Sequence, residues 1–153
     1  MSREKHLTDS ITEKLGTMSG VRVYEQILLH KYESYQFDYV GIYGSTDERF
    51  TEALENMAAV SDLGKIDIYL LLGNAVKKQP TLGKASLRYA MQDLAEKVEW
   101  CLTDLELDSY VSDYETTTFS PVHFIGSEPV TFSDDETKGL TLMTFRIFYT
   151  RIT

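Results

Sequence analysis

The chain has 153 residues, 42% of them hydrophobic and 25% charged, and a net charge of −9. That length and balance suit one folded domain with a real core and argue against disorder. The acidic excess argues against a sequence-independent nucleic-acid binder, which needs clustered Lys and Arg to displace phosphate counterions. The longest apolar runs, such as "IYLLLG", are too short to cross a bilayer, and "MSREKHLTDS" lacks the apolar stretch of a signal peptide. A soluble protein made and kept in a cytoplasm is the expectation. Cys101, the one cysteine, sits among apolar residues at helical spacing and reads as a core thiol.

Leu7, Ile11 and Leu15 lie four apart, with Ser2 placed as an N-cap and Gly16 and Gly20 as stops, so a short amphipathic helix opens the chain. In "VRVYEQILL", Val21, Val23, Ile27 and Leu29 share one parity. The following "YQFDYVGIY" is rich in aromatic and β-branched residues, which gives two adjacent strands joined around Lys31 to Ser34. Over residues 44–64 the sequence reads as a variable loop or an inserted helix: Ser45 and Glu48 have capping-box spacing, and Phe50, Leu54, Met57 and Ala58 form a helical face. "KIDIYLLLG" alternates Ile66, Ile68, Leu70 and Leu72 with Asp67, Tyr69 and Leu71. Because the second set is also largely apolar, this strand is expected inside the sheet.

From Thr81 the strongest helical pattern runs through Leu87, Met91, Leu94, Val98, Cys101, Leu102 and Leu105, about seven turns at ~3.6 residues per turn. Residues Leu107 to Thr118 show no steady period. Pro121 and Pro129 bracket "VHFIGSE", which points to short or edge pairing. "PVTF" and "GLTLMTF" read as a hairpin whose tip is Asp134, Asp135 and Glu136. In the last strand Met143, Phe145, Ile147 and Tyr149 form the better core face, against Leu142, Thr144, Arg146 and Phe148. The fold class is α+β: a mixed or antiparallel sheet of about five strands, with a short N-terminal helix and one long helix packed on it.

Catalytic and metal motifs are absent from this pattern. His6, His30 and His123 are widely separated, with no HxH or HExxH pairing. "YGSTDE" lacks the second glycine of a nucleophile elbow, and "GNAVKKQP" lacks the second glycine and the Lys-Ser/Thr pair of a phosphate loop. Lys77 and Lys78 read as ordinary connector lysines or a small anion site. The three carboxylates of "SDDETKG" cannot all point one way from a strand, as a Mg²⁺ or Ca²⁺ site would require, and read as a solvated or partner-facing turn. No enzyme activity, metal or cofactor is expected.

The order of a short helix, the strands "VRVYEQI" and "FDYVGIYG", a variable segment, "KIDIYLLLG" leading into "LGKASLRYAMQDLAEKVEWCLTDL", and a closing hairpin ending "GLTLMTFRIFYTRI" resembles the tail-terminator family of long-tailed bacteriophages, Mu-like phages and prophages above all. The resemblance runs from about Leu7 to Thr153. It implies a structural virion protein at the head-proximal end of the tail, assembled in the host cytoplasm. Copies would form a hexameric ring that caps the tail tube, ends its polymerisation and meets the head-tail connector, while DNA passes without specific binding. Asp47, Glu48, Arg49, Lys77, Lys78, Asp134, Asp135, Glu136 and Lys138 are the candidate residues for the partner interface or the lumen. The alternatives are a head-tail connector or tail-completion adaptor, and a small ligand-binding α+β domain.

Overall fold

The structure is a computed structural model that describes residues 2–27, 37–49, 61–75, 83–132 and 138–152. Helix α1 spans Arg3–Leu15, with the Ser2 side chain accepting from the Lys5 amide as its N-cap. Leu7, Ile11 and Leu15 are all fully buried, as their spacing predicts. Strands β1 (Arg22–Tyr24), β2 (Tyr39–Arg49) and β3 (Ser61–Ala75) follow, then helix α2 (Gly83–Leu102). The short strands β4 (Tyr110–Val111), β5 (Thr116–Phe119), β6 (His123–Ser127) and β7 (Thr131–Phe132) precede the long β8 (Lys138–Ile152).

These strands make one eight-stranded sheet in the order β1-β2-β3-β8-β5-β4, with β6 and β7 also on β8. It is larger than the expected five strands because the aperiodic stretch after α2 hides short strands. β7, β6 and β5 attach one after another along the far edge of β8, starting from its N-terminal end. β3 and β8 form the spine, antiparallel and paired at every position from Ser61↔Ile152 to Ala75↔Lys138. Fifteen residues at the usual strand rise make a ladder about 48 Å long.

The alternation of both spine strands holds. Ile66, Ile68, Leu70 and Leu72 of β3 and Met143, Phe145, Ile147 and Tyr149 of β8 are buried on one face. There they meet Leu7, Ile11 and Leu15 of α1 and Met91, Leu94, Val98 and Leu102 of α2 in a common core. Leu71, on the other face of β3, is buried as well, in a smaller cluster with Ile27 and Tyr39, which accounts for the apolar character of its second face. The Cys101 thiol is half-buried rather than central and donates to the Lys14 carbonyl at 3.3 Å, joining α2 to the end of α1.

β1 and β2 are adjacent, as expected, and run parallel, so the connection between them is a crossover. Their predicted link at Lys31 to Ser34 lies outside the described residues. Val21 and Val23 pack on the main core while Ile27 serves the opposite face, so the shared parity of these residues ends with β1. α2 stops at Leu102, short of seven turns: the Thr103 amide bonds the Glu99 carbonyl, and Asp104 turns the chain with φ 62°. Asp tolerates this left-handed conformation better than most residues. Leu105 still packs against the core from beyond the helix.

A further correction concerns residues 44–64. Ser45 and Glu48 lie in β2 rather than capping a helix, paired with Ile68 and Lys65. The ladder between β2 and β3 continues to Arg49↔Gly64, so both flanks of the segment are strand; residues 50–60 lie outside the described residues. Within β2 the register slips at Tyr43, an extra residue between the pairs Ile42↔Leu70 and Gly44↔Tyr69. A bulge of this kind switches the parity of the strand. Val40 and Ile42 face the helices before it; Ser45, Asp47 and Arg49 do so after it.

Two glycines of β3 make room for tyrosines on opposite faces. A Cβ on Gly64 would stand 2.4 Å from the Tyr149 ring, its direct cross-strand partner, and one on Gly73 would stand 2.0 Å from the ring of Tyr39. Such pairing of an aromatic over a strand glycine recovers packing that the glycine alone would forfeit. Gly64→Ala is therefore expected to cost about 1–3 kcal/mol by displacing a buried ring. Gly44→Ala, where an added Cβ meets nothing within 4 Å, should stay within about 0.5 kcal/mol. Urea unfolding of the two variants beside the parent checks this, and equal stabilities would refute the packing argument.

Candidate functional site

Among the described residues, a connected polar group lies where the start of α1 meets the far arm of the sheet. Arg3 occupies the first position of α1, where a cation opposes the helix dipole. Its guanidinium instead turns to two carboxylates, Asp47 on β2 at 2.7 Å and Glu115 just before β5 at 3.2 Å. It also lies 4.6 Å from the centroid of the Tyr149 ring, in a cation–π arrangement. The Tyr149 hydroxyl donates to the second oxygen of Asp47 at 2.7 Å. Glu115 accepts further from the hydroxyl of Thr117, and Ser45 donates to Glu4 at 2.7 Å. α1, β2, β5 and β8 are thereby tied at one end of the molecule.

The Arg3 side chain is only 12% exposed and that of Glu115 19%, against 39% for Asp47. Charge-assisted bonds in such a half-dry setting exceed the value of open surface pairs. Burial, and then the hydrogen bond to Asp47, push the Tyr149 phenol above its ordinary 10.0. The carboxylate oxygens are engaged by cations and hydroxyls, so the arrangement acts as a joint holding the β2–β3 arm against the N-terminal helix.

A second polar band crosses the opposite face. Arg146 of β8 grips Asp67, its direct partner on β3, with both prongs at 2.8 and 3.1 Å. Lys65 lies 3.5 Å from Glu48, and the hydroxyls of Thr46 and Tyr69 meet at 3.1 Å. Exposed Leu63, Phe148 and Ile152 continue this face toward the end of β8, and His123 on β6 packs edge-on against Phe148. On the helical side Tyr89 and Trp100 are 64% and 81% exposed; eleven residues apart, they fall on one face of α2.

The residues singled out from sequence do not form one site. Asp47 and Arg49 face the helices, while Glu48 faces the other way toward Lys65. Lys138 opens β8 opposite Ala75, nine positions from Ile147, the partner of the residue that pairs with Asp47. That is about 30 Å away along the ladder. Lys77, Lys78, Asp134, Asp135 and Glu136 lie outside the described residues; the β7–β8 pairing that leads into the predicted tip is present, at Thr131↔Leu140 and Phe132↔Gly139. Arg3, Glu115 and Tyr149 were missed. The one local signal was an arginine at the first position of a well-capped helix, a misfit that calls for a distant partner.

No protein-family model matches the sequence, and no curated protein does. The fold, however, has a solved counterpart. A chain from a structure titled "Virion of native gene transfer agent (GTA) particle" superimposes with a TM-score of 0.63 at 11% identity, over 96% of this chain and 96% of that one. At that identity the likeness establishes a shared fold. Among the described residues no helix is long and apolar enough to cross a membrane.

Two outcomes test the joint. Arg3→Met should lower stability by about 1–3 kcal/mol, and a double-mutant cycle should show Arg3 coupled to both Asp47 and Glu115; additive effects would dissolve the proposed tie. Tyr149 carries the pH dependence. Its folded pKa is raised, so its contribution is fully present below 10.0 and lost as pH climbs above that value. Tyr149→Phe should then be less stable than the parent at neutral pH and lose less on going to alkaline pH, as read by urea midpoints. A parallel decline in both proteins would contradict the assignment.

Proposed function

We propose that this chain is a structural subunit of a phage-like virion and works by assembly rather than by catalysis. The observation that carries the reading is the match of fold over nearly the full length of a chain from a gene transfer agent virion. The sequence order resembling the tail terminators, from "VRVYEQI" to "FRIFYTRI", points the same way by a separate route. Within the virion, the role that fits best is the ring at the head-proximal end of the tail. Copies would close into a hexamer on the last ring of the tube, stop its growth and offer the surface that the head-tail connector meets.

The surface chemistry supports an assembling protein. Trp100, Tyr89, Tyr114, Tyr43 and Phe148 are all at least 41% exposed, and exposed aromatics are the residue type most enriched where proteins meet. Interfaces that repeat head to tail close into rings when the rotation permits. The net charge of −9 suits a channel that DNA traverses without sticking. A head-tail connector or tail-completion adaptor would share this size and these partners and differ in binding the portal side first.

Negative-stain imaging and mass measurement, with and without tail tubes, test the reading. Six-fold rings seated on tube ends, and tubes that stop elongating when the protein is added, are expected. Binding to isolated portal particles but not to tube ends would transfer the assignment to the connector. A protein that stays monomeric beside both would remove it.

A further inference from the structure

The edges of the sheet are unequally covered. β1 pairs with β2 only over Tyr39–Gly41, and the Ile27 amide reaches the Ile42 carbonyl at 3.0 Å. Beyond that point, among the described residues, no strand lies along the outer side of β2, although β2 runs on to Arg49. In an antiparallel ladder every second residue directs its N–H and C=O away from the partner strand. Among the described residues, the stretch from Tyr43 to Arg49 therefore presents a row of donors and acceptors, about 20 Å long, that no strand pairs. Burying such a row against protein without pairing it would be costly, and a strand added alongside satisfies it.

Beside the start of this edge runs a groove between β2 and α1, lined by Glu4, Lys5, Asp9, Glu25, Tyr43 and Gly44. The Lys5 ammonium is already held by Asp9 at 2.6 Å and Glu25 at 3.6 Å, and Glu4 accepts from Ser45. Three carboxylates against one ammonium leave the groove negative. Farther along the edge Asp47 is held by Arg3 and Glu48 lies 3.5 Å from Lys65, so the uncompensated negative charge is concentrated in the groove. A second copy of this chain, itself at −9, is a poor electrostatic match for that surface, and charges along an open edge are a usual guard against self-pairing.

We propose that the open edge of β2 receives an extended segment of another protein that carries Lys or Arg at alternate positions. The segment adds as a strand beside Tyr43–Arg49. One face of an added strand turns toward α1, so side chains spaced by two meet Glu4, Asp9 and Glu25. Backbone bonds supply the attachment, and the carboxylates select the charge of the occupant. The proposal concerns this basic, strand-donating segment alone and does not depend on ring formation.

Three capped six-residue peptides test it against the ¹⁵N-labelled protein: lysine alternating with threonine, glutamate alternating with threonine, and the lysine peptide with alternate amides N-methylated. The lysine peptide should shift and protect the amides of Tyr43–Arg49. The glutamate peptide should leave them unchanged, and N-methylation, which removes the backbone donors, should weaken binding by about tenfold or more. Glu25→Gln, on a side chain that is 68% exposed, should weaken the lysine peptide by about threefold while leaving the fold intact. Equal binding of the glutamate or the N-methylated peptide would overturn the proposal. So would finding these amides already protected in self-assembled protein without peptide, which would make the occupant a second copy.

Discussion

The continuous pairing of β3 with β8 is the constraint on which the rest of this fold depends. Every residue from Ser61 to Ala75 has a partner on β8, and both helices pack on the face that this pair presents. The short strands β5, β6 and β7 are too brief to stand alone and borrow order from the far edge of β8. Strands this long need a buried face to fix their register, since a slip by one residue would send Phe145 and Ile68, both at 0% exposure, to the solvent side. The core residues Ile66, Ile68, Leu70 and Leu72 of β3, and Met143, Phe145, Ile147 and Tyr149 of β8, meet that requirement.

That ladder also carries the molecule's polar joints. Because it extends beyond the helical core, its far end would be a bare two-faced arm with β2 alongside. Tyr149, seated over Gly64, brings its hydroxyl to Asp47, and Arg3 then clamps Asp47 and Glu115 from the first turn of α1. On the other face, Asp67 and Arg146 pair across the same two strands. These contacts hold the arm to the body, while among the described residues no strand pairs with the outer edge of β2 beyond Ile42.

The sequence was legible wherever a single period ran without interruption. α1 with its Ser2 cap, the buried stripe of α2, the two faces of β3 and the core face of β8 all follow from spacings of two, three and four. It was misread where the period broke. Tyr43 inserts one residue into β2, so the polar run after it matched a capping box as well as a strand. The stretch from Leu107 to Phe119 contains strands of two and four residues, too short for alternation to register. The candidate site was less legible than the fold. Asp47 was singled out for its charge, but its partners Arg3 and Tyr149 lie 44 residues before it and 102 after, and nothing local marks them as a set.

By itself, then, the sequence determined the type of both helices, of β3 and of β8, the faces those elements bury and an acidic balance, because periodicity and composition are properties of neighbouring residues. Tertiary structure decided that β1 runs parallel to β2, that β8 gathers short strands along its far edge, and that Asp47 rather than Glu48 faces the helices. Those outcomes depend on register and on contacts between residues far apart in the chain. A one-residue bulge or a distant arginine changes them without altering the local pattern on either side.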